Sequence, residues 1–276
     1  MNEQGTPVNG QRKRGFSRVP MRIVLPNLVT LLAICLGLTS IRFAAEGKFE
    51  MAAVFIVCAA VLDGLDGRLA RAIDGTSRFG AELDSLADFV DFGVAPAFLL
   101  YFWSLHDIRS LGWFAAMVFA IAAALRLARF NVMIEDPDKP AWHAQFFVGM
   151  PAPAGAIIAM LPIYLRYSVL GLPDNQFIVA LEILYVLAIA FLMVSRIPHF
   201  SGKQLGRVPR EYFIPVLFAV AAFVLLLATF TMEVLIGLTL AYLALIPLAV
   251  RRHQAFSRQD EAAAQVAAPP SEAQPG

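Results

Sequence analysis

Apolar residues run through this chain in eight long segments that are separated by short polar stretches. Each segment comes close to the roughly 20 residues that a helix needs to cross the hydrocarbon core of a bilayer. The pattern therefore predicts an all-α fold, a polytopic membrane helix bundle with about eight transmembrane helices. The predicted spans are Val24 to Ile41, Met51 to Leu69, Ala81 to Trp103, Gly112 to Phe130, Pro151 to Tyr167, Phe177 to Val194, Phe213 to Phe230 and Glu233 to Val250.

Carboxylates interrupt two of these segments, although an aspartate at the centre of a membrane helix costs about 3 kcal/mol. Their spacings, three in one segment and four and three in the other, place each group on one helix face. The loop between the two spans is short and has the turn sequence Asp74-Gly75, so the two helices must be antiparallel neighbours. We therefore expect two acidic faces to confront each other near the cytoplasmic surface. The carboxylates are Asp63 and Asp66 in the second span and Asp84, Asp88 and Asp91 in the third.

Facing carboxylates repel strongly at low dielectric constant and are tolerable only with concentrated positive charge between them. Salt bridges to neighbouring arginines are one source of such charge, and divalent cations are the source that we favour. Because neither Cys nor His accompanies the cluster, the ligand set favours Mg²⁺ or Mn²⁺ over zinc. Gly67 and Ala70 keep the helix face thin, either for close helix packing or for a ligand, and Arg71 is placed to hold a phosphate.

The acidic motif has the form Asp63-x-x-Asp66-Gly67-x-x-Ala70-Arg71, eight residues, Gly80-x-x-x-Asp84-x-x-x-Asp88. At every fixed position it resembles the signature of the CDP-alcohol phosphatidyltransferase family. The resemblance implies a homodimer with a six-helix core, to which the last two predicted spans are an extension. It implies two divalent ions, Mg²⁺ or Mn²⁺, on the four aspartates of the motif, and Asp88 as the base that acts on the acceptor alcohol. It also implies that the CDP-linked lipid binds beside Gly67, Ala70, Arg71 and Gly80.

Four further segments look like the phosphatidylserine synthase branch of this family. This likeness implies transfer of a phosphatidyl group from CDP-diacylglycerol to L-serine, with release of CMP. Serine carries an ammonium group, for which Asp91 is the candidate partner. It also carries a carboxylate, for which the candidate partners are Arg126, Arg129, Asn131 and Arg196. The arginines are also suited to anchor helix ends at the headgroups. The segments are DFGVAPAF (residues 91–98), LRLARFN (125–131), FVGMPAPA (147–154) and VSRIPHFSGK (194–203).

Two rival functions remain open at this stage. One keeps the reaction and changes the acceptor to glycerol 3-phosphate, inositol phosphate or choline. The other is a cation transporter whose carboxylates line the ion path, although the inverted repeats and broken midplane helices of such proteins are not visible in the sequence.

Charge and composition give the orientation. The chain is 59% hydrophobic and 16% charged, and its net charge of +1 gives no indication of a nucleic-acid partner. If the N-terminus is cytoplasmic, 18 of the 22 Lys and Arg residues lie on the cytoplasmic side, so both termini and the acidic faces should be cytoplasmic in a multi-pass inner-membrane protein. We divide the chain into a basic cytoplasmic arm (1–22), the transmembrane domain (23–251) and a disordered cytoplasmic tail (252–276).

Overall fold

The computed structural model describes residues 20–134, 146–171, 173, 175–200 and 212–267. The described chain is almost entirely helical, which confirms the predicted all-α membrane bundle. Its helices are α1 (Met21–Ala45), α2 (Phe49–Ala72), α3 (Arg78–Phe89), α4 (Ala95–Trp103), α5 (Arg109–Ile134), α6 (Ala152–Ala159), α7 (Leu161–Tyr167), α8 (Gln176–Val194), α9 (Phe213–Thr229) and α10 (Thr231–Ala267).

Every predicted span falls on helical structure, but the third and the fifth each consist of two helices. A π-helical turn, Val90–Val94, joins α3 to α4. The fifth span breaks between α6 and α7 at Met160, two residues before Pro162, whose ring cannot be accommodated in a continuous helix interior. A short antiparallel ladder was not predicted: β1 (Phe146–Val148) pairs with β2 (Pro198–Phe200) and ties the start of α6 to the end of α8.

Five helical segments of the described chain are long and apolar enough to cross a membrane. The acidic helix α2 is not among them, although its 24 residues would span the hydrocarbon core. Two further apolar segments, residues 152–167 and 214–229, are shorter than the five. The segments that qualify are Met21–Ala45, Arg78–Trp103, Leu105–Met133, Gln176–Val194 and Thr231–Arg252.

Small side chains let α1 lie directly against its neighbours. Residues at steps of three and four along α1 are buried, and nearly all of them are small or hydroxyl-bearing, a pattern that allows membrane helices to approach closely. Ser40 donates a hydrogen bond to the backbone oxygen of Ala52 in α2, 2.8 Å away, which fixes the register of the two helices. The buried positions of α1 are Pro26, Thr30, Ala33, Gly37, Ser40 and Ala44.

The connection between α2 and α3 follows the predicted turn. Asp74 adopts a left-handed conformation with φ of 51°, which Asp tolerates better than most residues, and the N–H of Gly75 closes on the carbonyl oxygen of Ala70. A side chain on Gly75 would collide with the backbone carbonyl of Arg22 at the start of α1. This turn therefore joins α2 to α3 and holds the adjoining ends of both helices against α1.

The C-terminal helix is longer than the sequence prediction allowed. α10 continues to Ala267 and so includes residues 252–267, which we had assigned to a disordered tail. The correction has a simple cause, because this stretch is rich in Ala, Gln, Glu and Arg, which are strong helix formers. The predicted arm up to residue 19 and the tail from residue 268 lie outside the described residues.

The predicted orientation can be tested by cysteine labelling in a background that lacks Cys35 and Cys58. Thr76 in the α2–α3 turn and Val169 after α7 are both exposed, and the basic residues place them on opposite sides of the membrane. We expect a membrane-impermeant maleimide to label Thr76→Cys only from the cytoplasmic side and Val169→Cys only from the other side. The reversed pattern would contradict a cytoplasmic acidic cluster.

Candidate active site

The carboxylates of the motif meet where α2 and α3 face each other. Asp63, Asp66 and Asp84 each bring one carboxylate oxygen to within 4.8 Å of the others. The carboxyl groups of Asp63 and Asp88 are hydrogen-bonded to one another. The structure thus brings together all four aspartates that the sequence grouped by helical spacing.

This arrangement carries more negative charge than it can hold without a counterion. Asp66 is buried, and only its Oδ2 has a partner, the hydroxyl of Thr30 at 2.7 Å, whereas its Oδ1 has none among the described residues. Two carboxyl groups in hydrogen-bond contact also require a proton or a cation between them. Because all the donors are carboxylate oxygens, the cluster fits hard divalent cations such as Mg²⁺ or Mn²⁺.

A pocket of about 210 Å³ opens beside the cluster, between the start of α1, the end of α2 and the start of α3. Its walls include the four residues that the resemblance connects with the CDP-linked lipid, together with two of the clustered aspartates. These six residues are Gly67, Ala70, Arg71, Gly80, Asp66 and Asp84.

The start of α3 forms one wall of this pocket. Ser77 caps the helix, and its Oγ accepts a hydrogen bond from the N–H of Gly80 at 3.0 Å. The positive end of the helix dipole and the remaining free N–H groups then face a site that suits phosphate oxygens. A Cβ at Gly80 would lie 2.8 Å from the Oδ1 of Asn27 in α1, so a larger residue here would displace that side chain.

Asp91 follows Asp88 by three residues and lies within the π-helical turn, farther from the start of α3 than the cluster. Its side chain is 1% exposed, and its Oδ1 has no hydrogen-bond partner among the described residues. The carboxylate packs against Gly37 of α1, where any side chain would collide with it. π-Turns are frequent at functional sites because they redirect a side chain within a helix. The result is a buried anionic group on the same side of the bundle as Asp63.

The four predicted acceptor residues, three on α5 and Arg196 just after α8, occupy different environments. Arg126 is buried, donates from Nε to the carbonyl oxygen of Met150 at 3.0 Å, and lies within electrostatic reach of Asp88. Arg129 donates from Nη1 to the carbonyl oxygen of Val194 at 2.6 Å and so caps the end of α8. Asn131 and Ser85 share a pair of hydrogen bonds that ties α5 to α3, and Arg196 is exposed.

Sequence reasoning missed the contribution of α1 to the site. Asn27 and Thr30 line the pocket, and Gly37 makes room for Asp91. The available signal was the stripe of small and polar residues at steps of three and four, which marks a closely packed face in an otherwise apolar span. That stripe shows which face of α1 is buried, but not that acidic residues lie opposite it.

Comparisons with known proteins agree with this geometry. Three similar curated proteins are each named CDP-diacylglycerol--serine O-phosphatidyltransferase. The one from Mycobacterium leprae is 41% identical over 248 residues, which are 87% of this chain and 78% of the relative. The one from Helicobacter pylori is 36% identical over 219 residues, 79% of this chain and 89% of the relative. The one from Bacillus subtilis is 34% identical over 185 residues, 64% of this chain and 91% of the relative.

The family match itself covers residues 23–194, which include α1 to α8 and all four clustered aspartates, whereas α9 and α10 lie beyond it. The Bacillus subtilis relative is matched over nearly its whole length, so more than a third of this chain lies outside that match. The matching family model is described as CDP-alcohol phosphatidyltransferase, and the chain belongs to this family.

Proposed function

We propose that this chain transfers the phosphatidyl group of CDP-diacylglycerol to the hydroxyl of L-serine, giving phosphatidylserine and CMP at the cytoplasmic face of the inner membrane. The observation that carries the proposal is the meeting of Asp63, Asp66, Asp84 and Asp88 beside an anion-binding pocket. The choice of serine rests on the names of the curated relatives. The family resemblance further supports a homodimer as the working unit.

Two Mg²⁺ or Mn²⁺ ions are proposed to bind the four carboxylates of the cluster. The free Oδ1 of Asp66 and the paired carboxyl groups of Asp63 and Asp88 are the positions that most need a cation. When bound, such ions neutralise the diphosphate of the CDP-linked lipid and make its phosphorus a better electrophile. The protein residues then have to bind the nucleotide, orient the acceptor and remove one proton.

The nucleotide side of the substrate is assigned to the pocket at the start of α3. Arg71 and the N-terminus of α3 would hold phosphate oxygens, and Gly67 and Ala70 leave room for the substrate against α2. The cytoplasmic opening lets CMP leave into water while the acyl chains stay in the hydrocarbon core. This division of the substrate suits a site at the cytoplasmic end of a helix bundle.

The chemical step needs one base. The serine hydroxyl oxygen attacks the phosphorus that carries diacylglycerol, a new P–O bond forms, and the P–O bond to CMP breaks. We assign Asp88 to accept the hydroxyl proton, because it lies at the edge of the cluster and within electrostatic reach of Asp91 and Arg126. CMP departs with the electron pair of the broken bond.

Serine recognition is assigned to Asp91 and Arg126. The buried Oδ1 of Asp91 can accept a hydrogen bond from the serine ammonium group, which would satisfy an otherwise costly orphan acceptor. Arg126 keeps donors beyond its bond to Met150 and lies near Asp88, which suits the serine carboxylate. Arg129 and Asn131 support this site by fixing α5 against α8 and α3, and Arg196 at the surface remains a proposed contact for lipid phosphate.

A different acceptor alcohol is the principal alternative. Choline would require an aromatic cage, but the aromatic cluster around Tyr101 and Trp113 begins roughly 15 Å further along the helix from Asp91. A phosphorylated acceptor would meet the buried carboxylate of Asp91, which repels a second anion. Both observations favour an unphosphorylated acceptor with an ammonium group, such as serine.

The proposal is tested by incubating the purified protein with CDP-diacylglycerol and a panel of alcohols, namely serine, glycerol 3-phosphate, inositol phosphate and choline. We expect CMP release and a new phospholipid with serine alone. Removal of divalent ions with EDTA should abolish turnover, and Mg²⁺ or Mn²⁺ should restore it. Turnover with another alcohol at equal or greater kcat/KM, or full activity in EDTA, would overturn the corresponding part of the proposal.

Substitutions of the aspartates should separate metal binding from chemistry. Asp63→Asn, Asp66→Asn and Asp84→Asn each remove an anionic ligand, so activity should fall at least about 100-fold and the metal requirement should rise. Asp88→Asn should retain binding of the CDP-linked lipid while kcat falls about 100-fold or more, which is the usual contribution of a general base. A variant of Asp88 whose only defect is a raised metal requirement would show that the base is another group. Metal titrations of kcat and of lipid binding distinguish these results.

Asp91 gives a test of serine recognition. Asp91→Asn retains size and one acceptor, so the KM for serine should rise moderately, whereas Asp91→Ala should raise it by a factor that corresponds to about 2 kcal/mol or more. The KM for CDP-diacylglycerol should stay unchanged in both variants. If serine is used normally while metal affinity falls, Asp91 belongs to the metal site and not to the acceptor site.

A further inference from the structure

The last two helices pose a question that the proposed reaction does not answer. α9 and α10 lie outside the family match at 23–194, and all the residues that carry the proposed chemistry precede them. The described side chains of α9 are exposed almost throughout, with only Leu227 partly buried, so this helix has little contact with the bundle. Stabilisation of the catalytic core therefore does not account for α9.

Between these helices and the family core lies an apolar cavity of about 380 Å³. α9 and α10 form its outer walls, and α2 and α6 form its inner walls. The lining side chains are almost all apolar and come from segments that the sequence predicts to cross the membrane, so we place the cavity within the hydrocarbon core. The lining residues are Val57, Ala60, Val61, Ala154, Ile157, Ile158, Phe223, Leu227, Leu235, Leu238, Thr239 and Tyr242.

The inner wall of the cavity is continuous with the catalytic cluster. Ala60 lines the cavity and precedes Asp63 by three residues on α2, which is roughly 4.5 Å along the helix axis. On the α10 side, Tyr242 lines the same cavity and lies within electrostatic reach of Arg126. The end of the cavity near Ala60 therefore adjoins the aspartate cluster. In the proposed binding mode, the diacylglycerol half of the CDP-linked substrate would extend from the cluster into this end.

The size and chemistry of the cavity match one lipid chain. A group of the size of water occupies about 30 Å³, so the cavity has room for about a dozen methylene-sized groups. Thr239 also faces the cavity, is 1% exposed, and has no hydrogen-bond partner for its hydroxyl among the described residues. An ester oxygen at the head of an acyl chain would supply that partner, which water in the hydrocarbon core would not readily do.

We propose that α9 and α10 add outer walls to a lipid-facing groove of the family core, that the resulting partly open compartment holds one fatty acyl chain of CDP-diacylglycerol, and that this compartment selects chain length. The inference rests on the proposed function, since it concerns the lipid half of the same substrate. A cavity of fixed length penalises chains that are too long for it, because inserting extra groups into a packed space forces side chains or backbone to move. The core without the two helices would accept chains more evenly.

The test narrows the cavity and measures chain-length dependence. Ala60→Leu on α2 and Ala154→Leu on α6 each add three carbon atoms to the cavity wall, and Ala221→Leu is the control, because Ala221 lies on the face of α9 opposite Phe223 and Leu227. We measure kcat/KM in mixed micelles for CDP-diacylglycerols with acyl chains of about 6 to 18 carbons. Each cavity variant should lower the ratio of long-chain to short-chain kcat/KM about tenfold, and the control should keep the wild-type ratio.

A variant that enlarges the cavity keeps the test decisive even if the narrowing variants fail to fold. Phe223→Ala lies on the outer wall and should shift the preferred chain to greater length while the protein remains folded and active. The proposal would be overturned if the folded narrowing variants kept the wild-type ratio of long-chain to short-chain kcat/KM, or if Phe223→Ala kept the wild-type preference for chain length. The occupant of the cavity would then be bulk lipid or a second copy of the chain. Failure of the proposed function looks different, because the wild type would then release no CMP with serine at any chain length.

Discussion

The repulsion among carboxylates between α2 and α3 is the constraint on which the site depends. Asp63, Asp66 and Asp84 each bring one carboxylate oxygen close enough to the others to bind the same cation. Asp63 also shares a hydrogen bond with Asp88. In a medium of low dielectric constant such a group is stable only when protons or cations lie between its members. The tight α2–α3 turn and the close packing of α1 hold the carboxylates together despite this repulsion. In the proposed mechanism, the same repulsion gives the site its affinity for a divalent cation and, through it, for a diphosphate.

The helices around this cluster satisfy polar groups that would otherwise be costly in the membrane. Arg126 and Arg129 bond to backbone carbonyl oxygens at the start of α6 and the end of α8, and Tyr185 donates to the carbonyl oxygen of Ile158 at 2.7 Å, near the break between α6 and α7. Interrupted helices are tolerated at membrane depth only when neighbouring groups supply these bonds. The irregular backbone of the bundle is therefore concentrated around the site, whereas α9 on the lipid side is regular.

Much of this arrangement could be predicted from the sequence because the signals were local. Apolar runs gave the spans, and the steps from Asp63 to Asp66 and from Asp84 to Asp88 gave one acidic face on each helix. The turn at Asp74 and Gly75 then required the two faces to meet. The pairing of Thr30 with Asp66, the π-turn at Asp91 and the position of Gly37 depend on contacts between helices that are distant in sequence, and periodicity carries no such information. The helical continuation of α10 was missed because hydropathy was given more weight than helix propensity.

The composition of α2 has a consequence for how the protein enters the membrane. A helix with two aspartates and two arginines towards its C-terminal end is a weak substrate for the insertion machinery, and α2 is not among the segments that qualify as spans by length and composition. Its neighbours α1 and Arg78–Trp103 both qualify. Insertion of α2 then depends on the flanking segments, and the three should enter the bilayer as one cooperative unit. Biogenesis and the proposed catalysis are thus coupled, because the aspartates that are proposed to act in catalysis are among the residues that make α2 a poor span on its own.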